Sequence, residues 1–359
     1  MIHIVKRKEM PLTHALAIRF GIIGLALIAC GIVTTLTTGL SPIDVYGTMV
    51  SGAFGTMRKT WILLQETAIL LCVSLALVPA FRMKFWNLGG EGQILIGAFA
   101  SAACMITLGG SLPGPALILA MLLASLFAGG VWALIPAFFK ARWNTNETLF
   151  TLMMNYVATQ LVAYFVIVWE VPKGSGNIGI INQSSEAGWL PTLMHNKYLL
   201  IVLVAVALTA AMYVYLNYGK QGYEIAVVGE SPNTARYVGI KVNRVIMRTL
   251  VISGALCGLV GFLLVSGSAH TLTTSLAGGR GFTAVMVAWL AKFNPIIMVG
   301  SSMLLEFMSS GAGEISTIYG LNHSFGDILT GIILFFIIGT EFFITYKVVF
   351  SKKGAERDV

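Results

Sequence analysis

Long apolar runs dominate this sequence and limit what it can fold into. Eight of them reach the roughly 20 residues that a helix needs to cross a hydrocarbon core about 30 Å thick. Two shorter apolar pieces, 281–291 and 296–310, are separated by Pro295, which interrupts a continuous helix. Counted as short crossings, these pieces bring the predicted total to ten. The long runs are 15–36, 60–80, 86–108, 115–137, 148–169, 198–218, 249–268 and 323–346.

The scarcity of charge supports the same conclusion. Only 11% of the 359 residues are charged and 57% are hydrophobic, whereas soluble domains average about 25% charged residues. The most polar stretches, 170–197 and 219–248, are shorter than the roughly 50 residues of a small domain. We therefore predict an all-α, polytopic membrane protein. It would be a single domain over residues 1–359, with about ten transmembrane helices, some of them short or broken.

The distribution of lysine and arginine predicts the orientation. With the N-terminus placed in the cytoplasm, the inside segments hold 17 of these residues and the outside segments hold 5. This asymmetry is the one expected of cytoplasmic loops, and it predicts that both termini are cytoplasmic. The net charge of +8 is thus explained by membrane topology, and we predict membrane lipid but no nucleic acid as a partner.

Neither metal nor nucleotide sites are indicated. The four cysteines lie singly in apolar runs and the five histidines are scattered, so no set has the spacing of metal ligands. The stretch "FWNLGGEGQILIGAF" (85–99) is rich in glycine but lacks the GK[ST] ending of a P-loop and the G-x-G-x-x-G spacing of a dinucleotide-binding turn. We predict that this chain binds no cofactor and has no catalytic residues.

The same stretch places polar side chains at membrane depth, and two interpretations stay open. In the first, Asn87 caps the following helix and Glu91 lies in its first turn, near the positive end of the helix dipole. In the second, Glu91 and Gln93 line a route for a polar solute. Similarly, Thr145 or Asn146 is expected to cap the helix that begins near 148.

Charged groups inside hydrocarbon cost about 2.5–3.5 kcal/mol each on insertion scales, so they face protein or a wet cavity. We therefore select polar residues at or near membrane depth as candidates for a solute pathway. Arg280 is a further candidate because it lies at the predicted outer surface, where it is either a simple lip residue or a contact for a solute or its carrier. The pathway candidates are Asn87, Glu91, Gln93, Asn155, Glu66 and Arg280.

The loop at 219–248 contains a short predicted helix. Ser231 is a good N-cap, Pro232 suits the first helical position, and Gly239 offers a left-handed stop, so a helix of about seven residues is predicted over 232–238. A helix this short is marginal on its own. Its own membrane domain or another protein must hold it, and Asn233, Arg236 and Tyr237 suit a docking face.

Five stretches together resemble one family of transport proteins. They occur in order over most of 60–346, and Gly90 replaces the alanine usual at that position. The resemblance is to membrane permease subunits of bacterial ABC importers of the nucleoside and simple-sugar group, which are related to ribose and branched-chain amino acid permeases. The stretches are "FWNLGGEGQILIGAF", "TNETLFTLMMNYVA", "VVGESPNTARYVGI", "GGRGFTAVMVAWLAKFNP" and "GDILTGIILFFIIGTEFF".

This resemblance implies a function for the chain. It would be a non-enzyme subunit that forms the translocation pathway for nucleosides or simple sugars, which an extracytoplasmic binding protein delivers. Cytoplasmic ABC ATPase subunits would bind ATP and Mg and drive transport, and a second, homologous permease would complete a heterodimer in the bacterial plasma (inner) membrane. Because the binding protein largely sets specificity in such systems, this chain does not define the solute.

The short helix would seat in a groove of the ATPase. The residues that form or border this contact would be Glu230, Ser231, Pro232, Asn233, Arg236 and Tyr237. The alternative is an ion-coupled secondary transporter of a small polar solute, in which Glu66, Glu91 and Glu306 bind protons or sodium. An ion-coupled carrier needs no docking helix for an ATPase, so the helix at 232–238 favours the importer.

Overall fold

The computed structural model describes residues 2–6 and 12–350, and its architecture is helical, as predicted. Two five-residue strands, β1 (Ile2–Lys6) and β2 (Tyr346–Phe350), pair antiparallel. The helices are α1 (Leu12–Thr38), α2 (Pro42–Phe54), α3 (Met57–Arg82), α4 (Gly90–Leu108), α5 (Gly114–Trp143), α6 (Glu147–Trp169), α7 (Leu199–Asn217), α8 (Lys220–Glu230), α9 (Pro232–Tyr237), α10 (Val242–Leu264), α11 (Arg280–Leu290), α12 (Pro295–Tyr319) and α13 (His323–Thr345). A π-helical turn, Val265–Ala269, continues α10.

Within the described residues, seven helices are long and apolar enough to cross a membrane. An eighth candidate is the bent pair made of the last part of α1 and α2, whose axes differ by 107°. Each long apolar run of the sequence corresponds to a helix whose ends lie within about three residues of the predicted ones, except where α4 and α10 begin and where α5 and α10 end. The helical class is therefore confirmed.

Three differences from the predicted helices have local causes. α2 was not predicted, because its 13 residues include Asp44 and two glycines and fall below the length of a crossing. α12 is not the short piece expected at 296–310: it runs for 25 residues, since its polar last third remains helical. α4 begins at Gly90, so residues 85–89 are not part of the helix that was expected to begin at 86.

The chain divides into two compact units, and the larger comprises residues 61–306. Its centre is α3, where every residue from Thr67 to Phe81 is buried. α5 and α10 cross so closely that a Cβ added to Gly258 would lie 2.1 Å from the carbonyl oxygen of Ser125. Only glycine permits this backbone contact, which brings α4, α5 and α10 into one core.

The smaller unit comprises residues 1–60 and 307–359. Its apolar core joins α1 and α2 with the last part of α12 and α13, and includes Cys30, Met49 and Ile315. An ion pair of 2.7 Å between Lys59 and Glu314 also lies in this unit.

An ordered segment, 170–198, connects α6 to α7 in the larger unit. The Glu170 carboxylate accepts hydrogen bonds from the backbone N–H groups of Gly174 at 2.7 Å and Gly176 at 2.9 Å. These two donors, with a smaller contribution from Lys173, lower the pKa of Glu170. The segment is also tied to the end of α10, because the Trp189 ring stacks on His270 with 3.9 Å between centroids.

Candidate functional site

The short helix predicted in the 219–248 loop is present as α9. The Ser231 side chain accepts a hydrogen bond from the Thr234 N–H at 3.2 Å and so caps the helix, with Pro232 at its first position. Val238 is the C-terminal cap, and Gly239 follows in the left-handed region with φ of 82°. The predicted helix is thus confirmed to within one residue.

One face of α9 is anchored in its own membrane domain. Ala235 is fully buried in a core that also contains Met83, after α3, and Ile225 and Val228 of α8. The backbone of α8 continues into α9, since the Ser231 N–H donates to the Val227 carbonyl at 3.0 Å. Tertiary packing therefore supplies the stability that six residues lack alone.

The opposite face of α9 is free in this chain. Tyr237 is 93% exposed. Pro232, Asn233 and Arg236 are also exposed, and the Arg236 guanidinium donates to the Asn233 side chain at 3.0 Å. Glu230 is exposed just before the helix, whereas Ser231 is partly buried. The six residues that the resemblance implied for docking thus form a continuous surface at and before α9.

A cavity of about 570 Å³ opens beside this surface. Its walls come from α5, the start of α6, α8, α9, α10 and the residues after α3. It is lined by charged side chains of both signs, and Lys140 and Glu147 in its wall form an ion pair of 2.8 Å. The charged residues that line it are Lys84, Lys140, Glu147, Glu230 and Arg236.

The segment 85–89 is held by a buried amide network. The side chains of Asn87 and Gln93 exchange hydrogen bonds of 3.1 and 3.4 Å, and Asn87 also donates to the Ser253 hydroxyl at 3.2 Å. Both amides are almost completely buried. Asn87 was expected to cap α4, but the N-cap position is Gly89. The Asn87 side chain accepts a hydrogen bond from the Gly89 N–H at 3.0 Å. Asn87 therefore fixes the turn before α4 instead of capping it.

Asn155 of α6 clamps the same segment. Its side chain accepts from the Gly92 N–H at 2.9 Å and donates to the Leu88 carbonyl at 2.8 Å. Thr151, one turn earlier, accepts from the Leu88 N–H at 3.2 Å. These bonds satisfy backbone groups that a break between two helices would leave unpaired. Earlier on α6, Asn146 caps the helix, which confirms one of the two predicted caps.

Glu91 lies in the first turn of α4, as predicted, but its carboxylate serves another helix. It accepts from the backbone N–H groups of Gly279 at 2.7 Å and Gly281 at 2.8 Å, at the start of α11. A Cβ added to Gly281 would lie 2.5 Å from the Glu91 nitrogen. A carboxylate at a helix N-terminus is stabilised by the free N–H groups and by the helix dipole, so Glu91 fixes the start of α11 against α4.

Glu66 and Arg280 form an ion pair of 2.5 Å, and both side chains are 24% exposed. Arg280 also donates to the carbonyls of Leu276 and Ala277. Glu306 of α12 lies near enough to interact electrostatically with both charges. A partly exposed ion pair on an apolar helix requires a wet or protein-covered surface.

The structure thus brings three of the six pathway candidates together around the start of α11, where Glu91 contacts Gly281 and Arg280 contacts Glu66. Asn155 instead binds the segment before α4 and its first turn. Asn87 and Gln93 lie deeper in the protein. Sequence reasoning missed Ser253, Thr151 and the backbone donors of α11. These partners lie 63 to 190 residues from the side chains that they bind, and no local pattern marks such distant contacts. Among the described residues, no group of three or more histidine, cysteine or acidic residues is placed to hold a metal ion.

Comparison with known proteins places these features in a family. The model of the branched-chain amino acid transport system permease component matches residues 60–338. The glucose ABC transporter permease protein TsgB13 of Haloferax volcanii is 29% identical over 92% of this chain and 90% of its own. The guanosine ABC transporter permease protein NupP of Bacillus subtilis is 29% identical over 98% of this chain and 99% of its own.

A third relative is more distant but still similar along most of its length. The nucleoside ABC transporter permease protein NupB of Lactococcus lactis subsp. cremoris is 25% identical over 86% of each chain. Among solved structures, PsaBC from Streptococcus pneumoniae in complex with Fab covers 82% of this chain and 95% of its own with 11% identity and a TM-score of 0.47.

Proposed function

Because this chain belongs to the permease-component family of branched-chain amino acid transport systems, it is a transmembrane subunit of an ABC importer, and we propose that its cargo is a nucleoside or a simple sugar. It is a multi-pass membrane protein and not itself catalytic. A partner ATPase supplies ATP hydrolysis and a binding protein supplies cargo, as the family implies.

The cargo proposal is supported by the relatives. Three relatives that are similar along most of their length are permeases named for glucose, guanosine and nucleosides. Two guanosine permeases, NupP and NupQ, are named in Bacillus subtilis, and both are similar to this chain. We infer from this pair that the chain assembles with a second, homologous permease as a heterodimer, in the inner membrane of a bacterium.

For the topology, we propose ten crossings with both termini in the cytoplasm, in a single transmembrane domain over residues 1–359. The 17 to 5 distribution of lysine and arginine supports this orientation. The 219–248 loop with α9 then faces the cytoplasm, and α11 is counted as one of the two short crossings.

The observation that carries the function is the geometry of α9. Its buried face is fixed in the core by Ala235 while its polar face is free. A small helix that is rigidly held but open on one side is suited to insertion in a groove of a second protein. We place the ATPase contact on Glu230, Ser231, Pro232, Asn233, Arg236 and Tyr237. ATP and Mg bind to the ATPase, and this chain holds no cofactor.

The pathway is proposed to pass the start of α11. The Glu66–Arg280 pair and Glu91 supply charged groups there, with Asn155, Asn87 and Gln93 behind them. The ion-coupled alternative has less support, because it needs carboxylates that are free to bind protons or sodium. Two of the three carboxylates named for it are engaged, Glu66 by Arg280 and Glu91 by two backbone N–H groups.

The test is purification of the permease from its native membrane, followed by reconstitution. We expect an ABC ATPase to co-purify and ATP-dependent uptake of guanosine or glucose in vesicles that contain the binding protein. Deletion of residues 231–238 should abolish both co-purification and uptake. Uptake that survives this deletion, or that follows an imposed ion gradient without ATP, would contradict the importer assignment for α9.

A further inference from the structure

The short helix α11 is held at both of its ends by side chains from other helices. At its start, Glu91 accepts two of its N-terminal N–H groups. At its end, the Arg82 guanidinium donates from Nη2 to the carbonyl of Phe293 at 3.1 Å, in the turn after the helix. The Phe81 and Phe293 rings stack beside this bond, with 6.1 Å between their centroids. Both ends of α11 are therefore fixed to residues of other helices.

Arg82 also contacts the end of α7. Its Nη1 atom donates to the Leu216 carbonyl at 3.3 Å and to the Asn217 side chain at 3.4 Å. A single guanidinium thus joins the last residue of α3 to the ends of α7 and α11. The planar fork of arginine makes this possible, because its two terminal nitrogens reach acceptors on different elements at once.

The backbone of Arg82 in turn touches the last turn of α8. A Cβ added to Gly229 would lie 2.2 Å from the Arg82 carbonyl oxygen and 3.1 Å from the Met83 Cα. No side chain separates the two backbones, so the end of α8 packs directly against the end of α3. Gly229 precedes Ser231, the cap of α9, by two residues, and Met83 and Ala235 belong to the same buried core.

We propose that Arg82 is a positioning residue that transmits the displacement of α9 to α11, and thereby couples the partner ATPase to the opening and closing of the solute pathway. This inference rests on the proposed function, since it takes α9 as the ATPase contact and the start of α11 as part of the pathway. The connection runs from α9 through Gly229 to the backbone of Arg82, and from its guanidinium to Phe293.

The physical basis is the stiffness of the contacts along this connection. Close backbone packing transmits strain because it has no side-chain freedom to absorb it. Hydrogen bonds from a charged donor are in general stronger than those from a neutral one. α11 has 11 residues and about three turns, so it moves as a rigid body between its two attached ends.

The experiment compares Arg82→Ala and Arg82→Lys with the wild type in the complete, reconstituted complex. The first readout is the number of guanosine or glucose molecules imported per ATP hydrolysed. We expect Arg82→Ala to lower this ratio by about tenfold or more while the ATPase remains bound. Arg82→Lys keeps the charge but not the fork, and should give an intermediate ratio. The matched control is Arg142→Ala, since Arg142 is exposed near the end of α5, and it should leave the ratio unchanged.

The second readout does not need cargo. A fluorophore is attached at Met286→Cys, on the exposed side of α11, and its emission is followed when ATP binds to the assembled complex. In the wild type we expect a spectral shift, and in Arg82→Ala we expect this shift to disappear. A shift that persists in Arg82→Ala, or an unchanged import ratio, would overturn the proposal.

Loss of ATPase binding in both Arg82 variants would also overturn it, because Arg82 would then be a residue of assembly. Failure of the wild type to import guanosine or glucose counts against the proposed cargo alone, and the fluorophore readout still decides the role of Arg82.

Discussion

Gly281 brings the backbone of α11 close to that of α4. A Cβ there would lie 2.5 Å from the Glu91 nitrogen and 2.9 Å from its Cα, and these backbone atoms cannot rotate aside. We expect Gly281→Ala to push α11 away from α4, to lengthen the bonds to the Glu91 carboxylate, and to destabilise the permease by about 1–3 kcal/mol. The measurement is the apparent melting temperature of the purified protein in detergent.

A matched control is available on another helix. Gly300 of α12 has no atom within 4 Å of an added Cβ. Gly300→Ala should therefore leave the melting temperature unchanged or raise it, because alanine favours a helix by up to about 1 kcal/mol over glycine. Equal melting temperatures for Gly281→Ala and the wild type would show that the two helices are not held in close contact.

Glu170 lies outside the membrane spans, and it predicts that the stability of the 170–198 segment depends on pH. Because the N–H groups of Gly174 and Gly176 lower its pKa from an ordinary value of 4.5, the carboxylate is more stable in the folded segment than in an unfolded one. This stabilisation is present above the unfolded pKa and is lost as the pH falls through the lower, folded pKa. We expect faster amide hydrogen exchange at Gly174 and Gly176, relative to intrinsic rates, as the pH is lowered from about 6 to about 3.

The control for this prediction lies in the same segment. Glu170→Gln should expose both amides at every pH and remove the pH dependence. Glu186→Gln changes an exposed carboxylate and should leave the pH dependence intact. Protection of the two amides that does not change with pH in the wild type would contradict the assigned hydrogen bonds.

Residues with local partners were predictable, and those with distant partners were not. Ser231 and Asn146 cap the helices that directly follow them, and capping depends on side chain and spacing alone. Glu91 was correctly placed in the first turn of α4, yet its carboxylate binds N–H groups almost 190 residues away. Only the packing of α11 on α4 determines that choice, and hydropathy contains no information about it.

At the scale of elements, hydropathy and length identified the long helices because a crossing needs about 20 apolar residues whatever its neighbours are. α2 does not satisfy this criterion and was missed, with its 13 residues and the 107° bend that precedes it. α12 was underestimated because Ser309, Gly311 and Glu314 interrupt its apolar run without ending the helix. Tertiary contacts maintain helices that composition alone would end.

The two faces of α9 predict different effects of substitution. Tyr237→Ala removes an exposed ring and should change the free energy of unfolding by less than about 0.5 kcal/mol. The same change should weaken binding of the partner ATPase by about fivefold or more, since exposed aromatic residues often dominate protein interfaces. Titration of the ATPase into detergent-solubilised permease measures the dissociation constant.

Tyr164→Ala is the control for the loss of an exposed aromatic ring outside the docking surface. Tyr164 is 64% exposed on α6 and is not part of the docking surface, so its loss should leave ATPase affinity unchanged. Ser231→Ala should act on the helix itself, at a cost of about 1 kcal/mol for the lost cap. An unchanged dissociation constant for Tyr237→Ala would remove that residue from the ATPase contact.

At the scale of the whole molecule, the apolar and exposed surface of α7 indicates that this helix is surrounded by lipid. The mean hydropathy of its apolar stretch is 2.6, and only 22% of this stretch is buried inside the protein. An apolar helix with so little protein cover is stable only in lipid. We therefore expect α7 to cross the membrane, with the segments on either side of it, 170–198 and 219–248, on opposite sides.

This crossing gives the last prediction, which tests the orientation. Single cysteines are introduced at Glu186 and Val238, which are both exposed, in a chain whose one partly exposed cysteine among the described residues, Cys104, is changed to serine. A membrane-impermeant maleimide should label Glu186→Cys on intact cells and Val238→Cys only after permeabilisation. The reason is that the lysine and arginine excess lies on the side of α9. Labelling of Val238→Cys on intact cells would invert the orientation, and would place α9 where no cytoplasmic ATPase can reach it.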